Sequence, residues 1–93
     1  MKLAPDLDTD ALRGRINRII GQLNGVQRMI DQSAACEDIL VQLNAANGAL
    51  HRVGLMVLEG HLRHCVLEGV EHGNAEAAIG NFSDALEHFS RFA

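Results

Sequence analysis

Apolar residues recur along most of the chain at spacings of three and four, the period of one helical face. Leu12, Ile16, Ile19, Leu23, Val26 and Ile30 form the first such stripe. Asp8 or Thr9 suits its N-cap, Asp10 falls in its first turn, and it runs to about Asp31. Past Gln32, Ser33 is the expected cap of a second helix, with Glu37 and Asp38 favourable near its start. Ile39, Leu43, Ala46, Leu50, Val53 and Val57 then alternate by four and three in a heptad-like seam, which Leu58, Leu62 and Val66 extend. This helix should stop between Gly69 and Gly73, because glycine is the usual residue past a helix end. Asn74 is the expected cap of a third helix, whose stripe is Ala78, Phe82, Ala85, Leu86 and Phe89. The pattern predicts an all-α fold: one domain over 1–93, with helices at roughly 9–31, 34–70 and 75–91.

Composition agrees and narrows the class. A single proline and no tryptophan or tyrosine disfavour a sandwich or barrel. A chain of 93 residues buries a limited core alone, so a homo-oligomer is expected. No apolar run approaches the ~18 residues of a membrane span. The opening MKLAPDLDTD lacks the apolar stretch of a secretory signal, so the expected location is cytoplasmic and no membrane partner is expected. Six glycines fall inside the helical patterns: Gly14, Gly21, Gly25, Gly48, Gly54 and Gly60. Each costs roughly 1 kcal/mol relative to alanine in a helix interior. Close helix packing would offset that cost, and so would close approach of a ligand's backbone at the Gly14, Gly21 and Gly25 face.

Net charge is −4, yet it is unevenly spread. Residues 11–30 carry Arg13, Arg15, Arg18 and Arg28 and no acid, a local +4. Residues 59–93 carry six acids against Arg63 and Arg91, a local −4. The cationic stretch fits a solvated helix face, and it also fits docking of an anionic partner on a local field.

Two cysteines are too few for a disulfide scaffold, so Cys36 and Cys65 need another reason. His61 and Cys65 are four apart on the second helix and share a face, where they can chelate one ion. Alone, such a pair also fits a half-buried histidine beside an inert thiol. Cys36 adds a second sulfur near a helix start, where the positive dipole end favours an anionic ligand. At a rise of about 1.5 Å per residue, Cys36 and His61 lie roughly 37 Å apart along a straight helix and cannot meet. They meet if two copies pack antiparallel, residue i opposing roughly residue 99 − i, with the two-fold axis near Gly48 and Ala49. The small residues Ala45 to Ala49 let two helices approach there, and the pairing yields two equivalent sites. Two thiolates and an imidazole are a soft, three-ligand set that suits Cu(I), whereas structural zinc normally takes a fourth protein ligand. His64 points about 100° away from Cys65 and is a poor fourth ligand.

The stretches LRGRINRIIGQLNGVQRMI at 12–30, CEDILVQLNAANGAL at 36–50 and VLEGHLRHCV at 57–66 resemble the CsoR/RcnR family of small helical metal-sensing transcriptional repressors. The resemblance implies a three-helix protomer, an antiparallel dimer and a tetramer made of two dimers. It also implies operator DNA bound without a helix-turn-helix and released when the ligand binds. Among the family's branches, the copper sensors' ligand pattern corresponds to Cys36, His61 and Cys65. The nickel/cobalt branch has an N-terminal histidine and a histidine at the last ligand position; here there is no histidine before His51, and Cys65 stands at that position. The formaldehyde branch uses a proline after Met1, where this chain has Lys2, and the persulfide branch lacks the intervening histidine. Two positions depart from the copper sensors: Ala35 replaces a frequent tyrosine, and Asn81 a glutamate. The family's DNA-contacting positions correspond to Arg15 and Arg52. Arg18 and Gln22 lie on the same first-helix face as Arg15, at i+3 and i+7.

The resulting expectation is a Cu(I)-responsive, DNA-binding repressor and not an enzyme, since no catalytic carboxylate or Ser/His arrangement is readable beside the ligands. Its alternatives are a sensor of the same fold for zinc, nickel, persulfide or formaldehyde, a metal-storage protein with no role at DNA, and a purely structural helical oligomer.

Overall fold

The computed structural model describes residues 7–92, which form three α-helices: α1 (Thr9–Asp31), α2 (Cys36–His72) and α3 (Ala75–Phe92). Residues 1–6 of the acidic opening stretch lie outside the described residues. No described helix is long and apolar enough to cross a membrane.

Two compact units are distinguishable, and α2 contributes to both. In the unit over Thr9–Val53, α1 packs its stripe on the first half of α2. Leu12, Ile19 and Val26 are buried at seven-residue intervals, together with Ala46 of α2. The other unit holds residues 7–8 and 54–92, in which the second half of α2 turns back into α3. Its packing relies on glycines. A methyl group on Gly69 would lie 3.0 Å from the Ala78 Cβ, and one on Gly54 would lie 3.3 Å from the Phe92 ring. The missing side chains let α3 come close to α2.

Both turns are closed by the same device, in which the chain passes through a left-handed residue and returns amide bonds to the helix end. After α2 that residue is Gly73 at φ +68°, and the Asn74 amide donates to the Gly69 carbonyl at 3.0 Å. Asn74 precedes α3, and its carbonyl accepts from Ala78 at 2.9 Å. After α1 the left-handed residue is Ser33, at φ +54°. Its amide donates to the Ile30 carbonyl at 3.1 Å and the Ala34 amide to that of Met29 at 2.9 Å. This corrects the expectation that Ser33 caps α2. Ala35 holds that place, its carbonyl accepting from Asp38 and Ile39 at 3.1 and 3.2 Å, so α2 begins at Cys36. Serine in the left-handed region is strained where glycine is not. Ser33→Gly should therefore raise unfolding stability by about 0.5–1 kcal/mol, measured by urea titration, despite glycine's extra chain entropy. An unchanged or lower midpoint would contradict this reading of the turn.

Much apolar surface stays open along α2. Leu40, Val41, Leu43, Leu55, Leu62, Val66, Leu67 and Val70 are all exposed, Val70 by 77%. Gly48 is open too: outside its own helix backbone and its chain neighbours, no atom lies within 4 Å of where its Cβ would be.

Candidate functional site

One helical turn separates His61 from Cys65 on α2, and their side chains meet. The Cys65 Sγ lies 3.3 Å from the His61 Nε2 and 3.7 Å from its Nδ1. His61 is only 8% exposed, whereas Cys65 is half-buried. The imidazole is also covered from α3: the Phe82 ring stacks on it at a centroid distance of 6.3 Å and an interplanar angle of 12°. Sulfur and nitrogen donors at this spacing are within reach of one ion, since bonds of about 2.3 and 2.0 Å span more than the gap. The donor chemistry therefore fits a soft metal at two of the three expected ligands. His64, adjacent in sequence, turns elsewhere and its Nε2 lies 3.3 Å from a Glu68 carboxylate oxygen.

Cys36 is the first residue of α2, exposed and with a free thiol. Among the described residues no group of three or more His, Cys, Asp or Glu side chains gathers where it could hold an ion. The chain thus pairs His61 with Cys65 and does not add Cys36 to them.

The expected DNA-contacting residues all fall in the unit over Thr9–Val53. Arg15 and Arg18 are exposed on α1, Gln22 is half-exposed on the same face, and Arg52 is exposed on α2. Among the described residues Arg15, Arg18 and Arg52 have no ion-pair partner, whereas Arg13 is held by Asp10 at 2.9 Å. The same helix buries Leu12, Ile19 and Val26, so α1 divides into an apolar face and a cationic one. Close packing within the chain does not explain the α1 glycines. Nothing lies within 4 Å of a Cβ built on Gly14 or Gly21, and one on Gly25 meets only the Arg28 guanidinium, at 3.6 Å.

Phe82 is the site residue that sequence reasoning missed. Its place in the α3 stripe marks it as apolar, but no spacing rule tells which core side chain will face a histidine on another helix.

Comparison with known proteins adds to this geometry. Residues 8–88 match the family model described as metal-sensitive transcriptional repressor. The copper-sensing transcriptional repressor CsoR of Bacillus subtilis is 37% identical over 84 residues, covering 90% of this chain and 83% of that protein. The copper-sensing repressor RicR of Mycobacterium tuberculosis is 38% identical over 77 residues, 83% of this chain and 79% of its own. Solved structures share the fold. The nickel-responsive transcriptional regulator InrS superposes with a TM-score of 0.86 at 32% identity, covering 88% of this chain and 92% of that one. The copper-sensing repressor CsoR with Cu(I) from Geobacillus thermodenitrificans superposes with a TM-score of 0.82 at 34% identity, over 97% and 94% of the two chains.

Proposed function

Since the chain belongs to the metal-sensitive transcriptional repressor family, we propose that it binds operator DNA as a homo-oligomer and releases it when Cu(I) occupies a site shared between two subunits. The ligands are Cys36 of one subunit and His61 and Cys65 of the other. The observation that carries this reading is the convergence of Cys65 Sγ and His61 Nε2 to 3.3 Å on a helix that itself begins at the other free thiol. Twenty-five residues of α2 separate Cys36 from His61, roughly 37 Å at helical rise, so the missing sulfur is best supplied by a second copy. An antiparallel pair of α2 helices does this twice by symmetry. It also gives apolar side chains that α2 leaves exposed a surface to pack against. Two such dimers form the proposed tetramer.

Arg15, Arg18, Gln22 and Arg52 are the proposed DNA-contacting residues. Their exposure and the arginines' lack of ion pairing leave guanidinium forks available for phosphates and base edges. Because the ligands join two chains, metal favours one arrangement of the subunits, and the cationic faces of α1 move with it. Coupling of this kind is typically ~1–3 kcal/mol and reciprocal, so DNA must weaken Cu(I) binding by the same factor. Cytoplasmic location follows from binding DNA.

Selection of Cu(I) rests on the donor set, because two thiolates and an imidazole are softer than nickel sites usually are. The likeness to the nickel-responsive InrS is the observation that favours the competing reading. An anaerobic titration of the operator-bound protein with Cu(I), Ni(II) and Zn(II) separates the two. Release at one Cu(I) per protomer, with nickel and zinc weaker, is expected. Release by nickel or zinc alone would reassign the ligand, and saturating Cu(I) that leaves operator affinity unchanged would refute copper as inducer.

A further inference from the structure

This inference rests on the reading of His61 and Cys65 as ligands and concerns how their occupancy reaches the rest of the fold. His61 is the one buried polar side chain among the described residues. The edge of its ring meets Cys65, and the Phe82 ring lies nearly parallel to it at a centroid distance of 6.3 Å and an angle of 12°. Among the described residues no hydrogen bond joins the imidazole to α3. Asn81, beside Phe82, is exposed. Contact between this ligand and α3 therefore runs through an aromatic face and not through a polar partner.

We propose that Phe82 is a positioning residue: its ring fixes the plane of the His61 imidazole for the metal and carries the state of the site into α3. The torsion that turns an imidazole about its own bond is broad and weakly restrained, so a ligand histidine needs something to set its plane. A hydrogen bond to the second ring nitrogen is the common solution. Offset stacking at a centroid distance below about 7 Å is another, because rotation of one ring breaks the parallel arrangement. Phe82 is well placed to transmit it. Together with Cys65, Leu62 and Ala78 it lines an apolar groove of about 250 Å³ between α2 and α3. A metal that pulls the imidazole toward a partner's sulfur shifts the Phe82 ring, and with it α3, across this groove.

Phe82→Leu removes the ring while keeping an apolar side chain, and Phe82→Tyr restores the ring. Three quantities are compared in wild type and both variants: the His61 ring resonances by NMR without metal, the Cu(I) affinity, and the operator affinity with and without Cu(I). In Phe82→Leu the metal-free operator affinity should stay within about twofold of wild type, while the Cu(I)-driven loss of operator affinity shrinks on the order of 10-fold. The His61 ring signals should shift as the ring current of Phe82 is lost. Phe82→Tyr should restore both, and Phe82→Leu should have no further effect on Cu(I) affinity in a His61→Ala background. Coupling unchanged in Phe82→Leu, Cu(I) affinity changed by Phe82→Leu in the His61→Ala background, or coupling not restored by tyrosine would overturn the proposal. A wild-type protein that keeps its operator at saturating Cu(I) overturns the metal reading itself. The His61 resonances then decide the positioning role alone, and no shift in Phe82→Leu overturns it.

Discussion

Cys36→Ala and Cys65→Ala proteins should bind their operator as wild type does and fail to release it at any Cu(I) concentration that clears the wild-type protein. Each substitution takes one sulfur from the proposed three-donor set. Removing an outer partner of a metal ligand typically costs 10–100-fold in affinity, and losing a thiolate from a soft site should cost more than that, about 1,000-fold or beyond. Folding is a minor concern at Cys36, which is exposed at the first position of α2 and touches no core. His61→Ala should behave differently. On the proposed site two sulfurs should still hold Cu(I), so affinity should fall less than coupling does, giving a protein that binds metal but stays on DNA. Competition with a Cu(I) chelator measures the first quantity, and fluorescence anisotropy on labelled operator the second. A His61→Ala protein that releases DNA normally would remove the imidazole from the mechanism.

Arg15→Ala and Arg52→Ala should produce the converse phenotype, with metal binding intact and operator binding abolished. A guanidinium bonded to a base edge or phosphate is worth ~1–3 kcal/mol, or roughly 5- to 150-fold. A symmetric dimer presents each arginine twice, so the effect compounds. Salt separates the two roles. If an arginine neutralises a phosphate, its removal should flatten the dependence of log affinity on log salt by about one unit for each phosphate left unneutralised. Arg13 is the internal control: it is as cationic as Arg15, but its guanidinium is held by Asp10 at 2.9 Å. Surface ion pairs of this kind contribute little to stability, so Arg13→Ala should change neither folding nor operator affinity by more than about 0.5 kcal/mol. Folded Arg15→Ala and Arg52→Ala proteins that bind as tightly as wild type across a salt series would move the DNA-contacting surface elsewhere.

The helices were legible because apolar residues recur in each at spacings of three and four and because Gly73 and Asn74 are the residues a helix end and a helix start prefer. Ser33 was not, for a physical reason. Serine is common at helix starts and rare in the left-handed region, so residue preference points to a cap, while the short link between α1 and α2 forces the rare conformation. The His61–Cys65 pair was legible because side chains four apart on a helix meet whatever packs around them. Phe82 was not, because the stripe that contains it specifies burial and not the identity of the neighbour. The α1 glycines show the same limit. Their spacing marks a special face, and only the structure shows that, beyond their own helix backbone and chain neighbours, no atom lies within 4 Å of a Cβ built on Gly14 or Gly21.

A site split between subunits can be tested by mixing proteins that each lack it. Cys36→Ala and Cys65→Ala chains, unfolded together in equal amounts and refolded, form mixed dimers in which one chain supplies Cys36 and the other supplies His61 and Cys65. Random pairing makes about half of the dimers mixed, each with one intact site of two, so the mixture should regain about one quarter of the wild-type high-affinity Cu(I) capacity. Either variant refolded alone should regain none. Capacity restored to that fraction is the predicted result. A mixture that binds no more Cu(I) than its two components apart would contradict the intersubunit site.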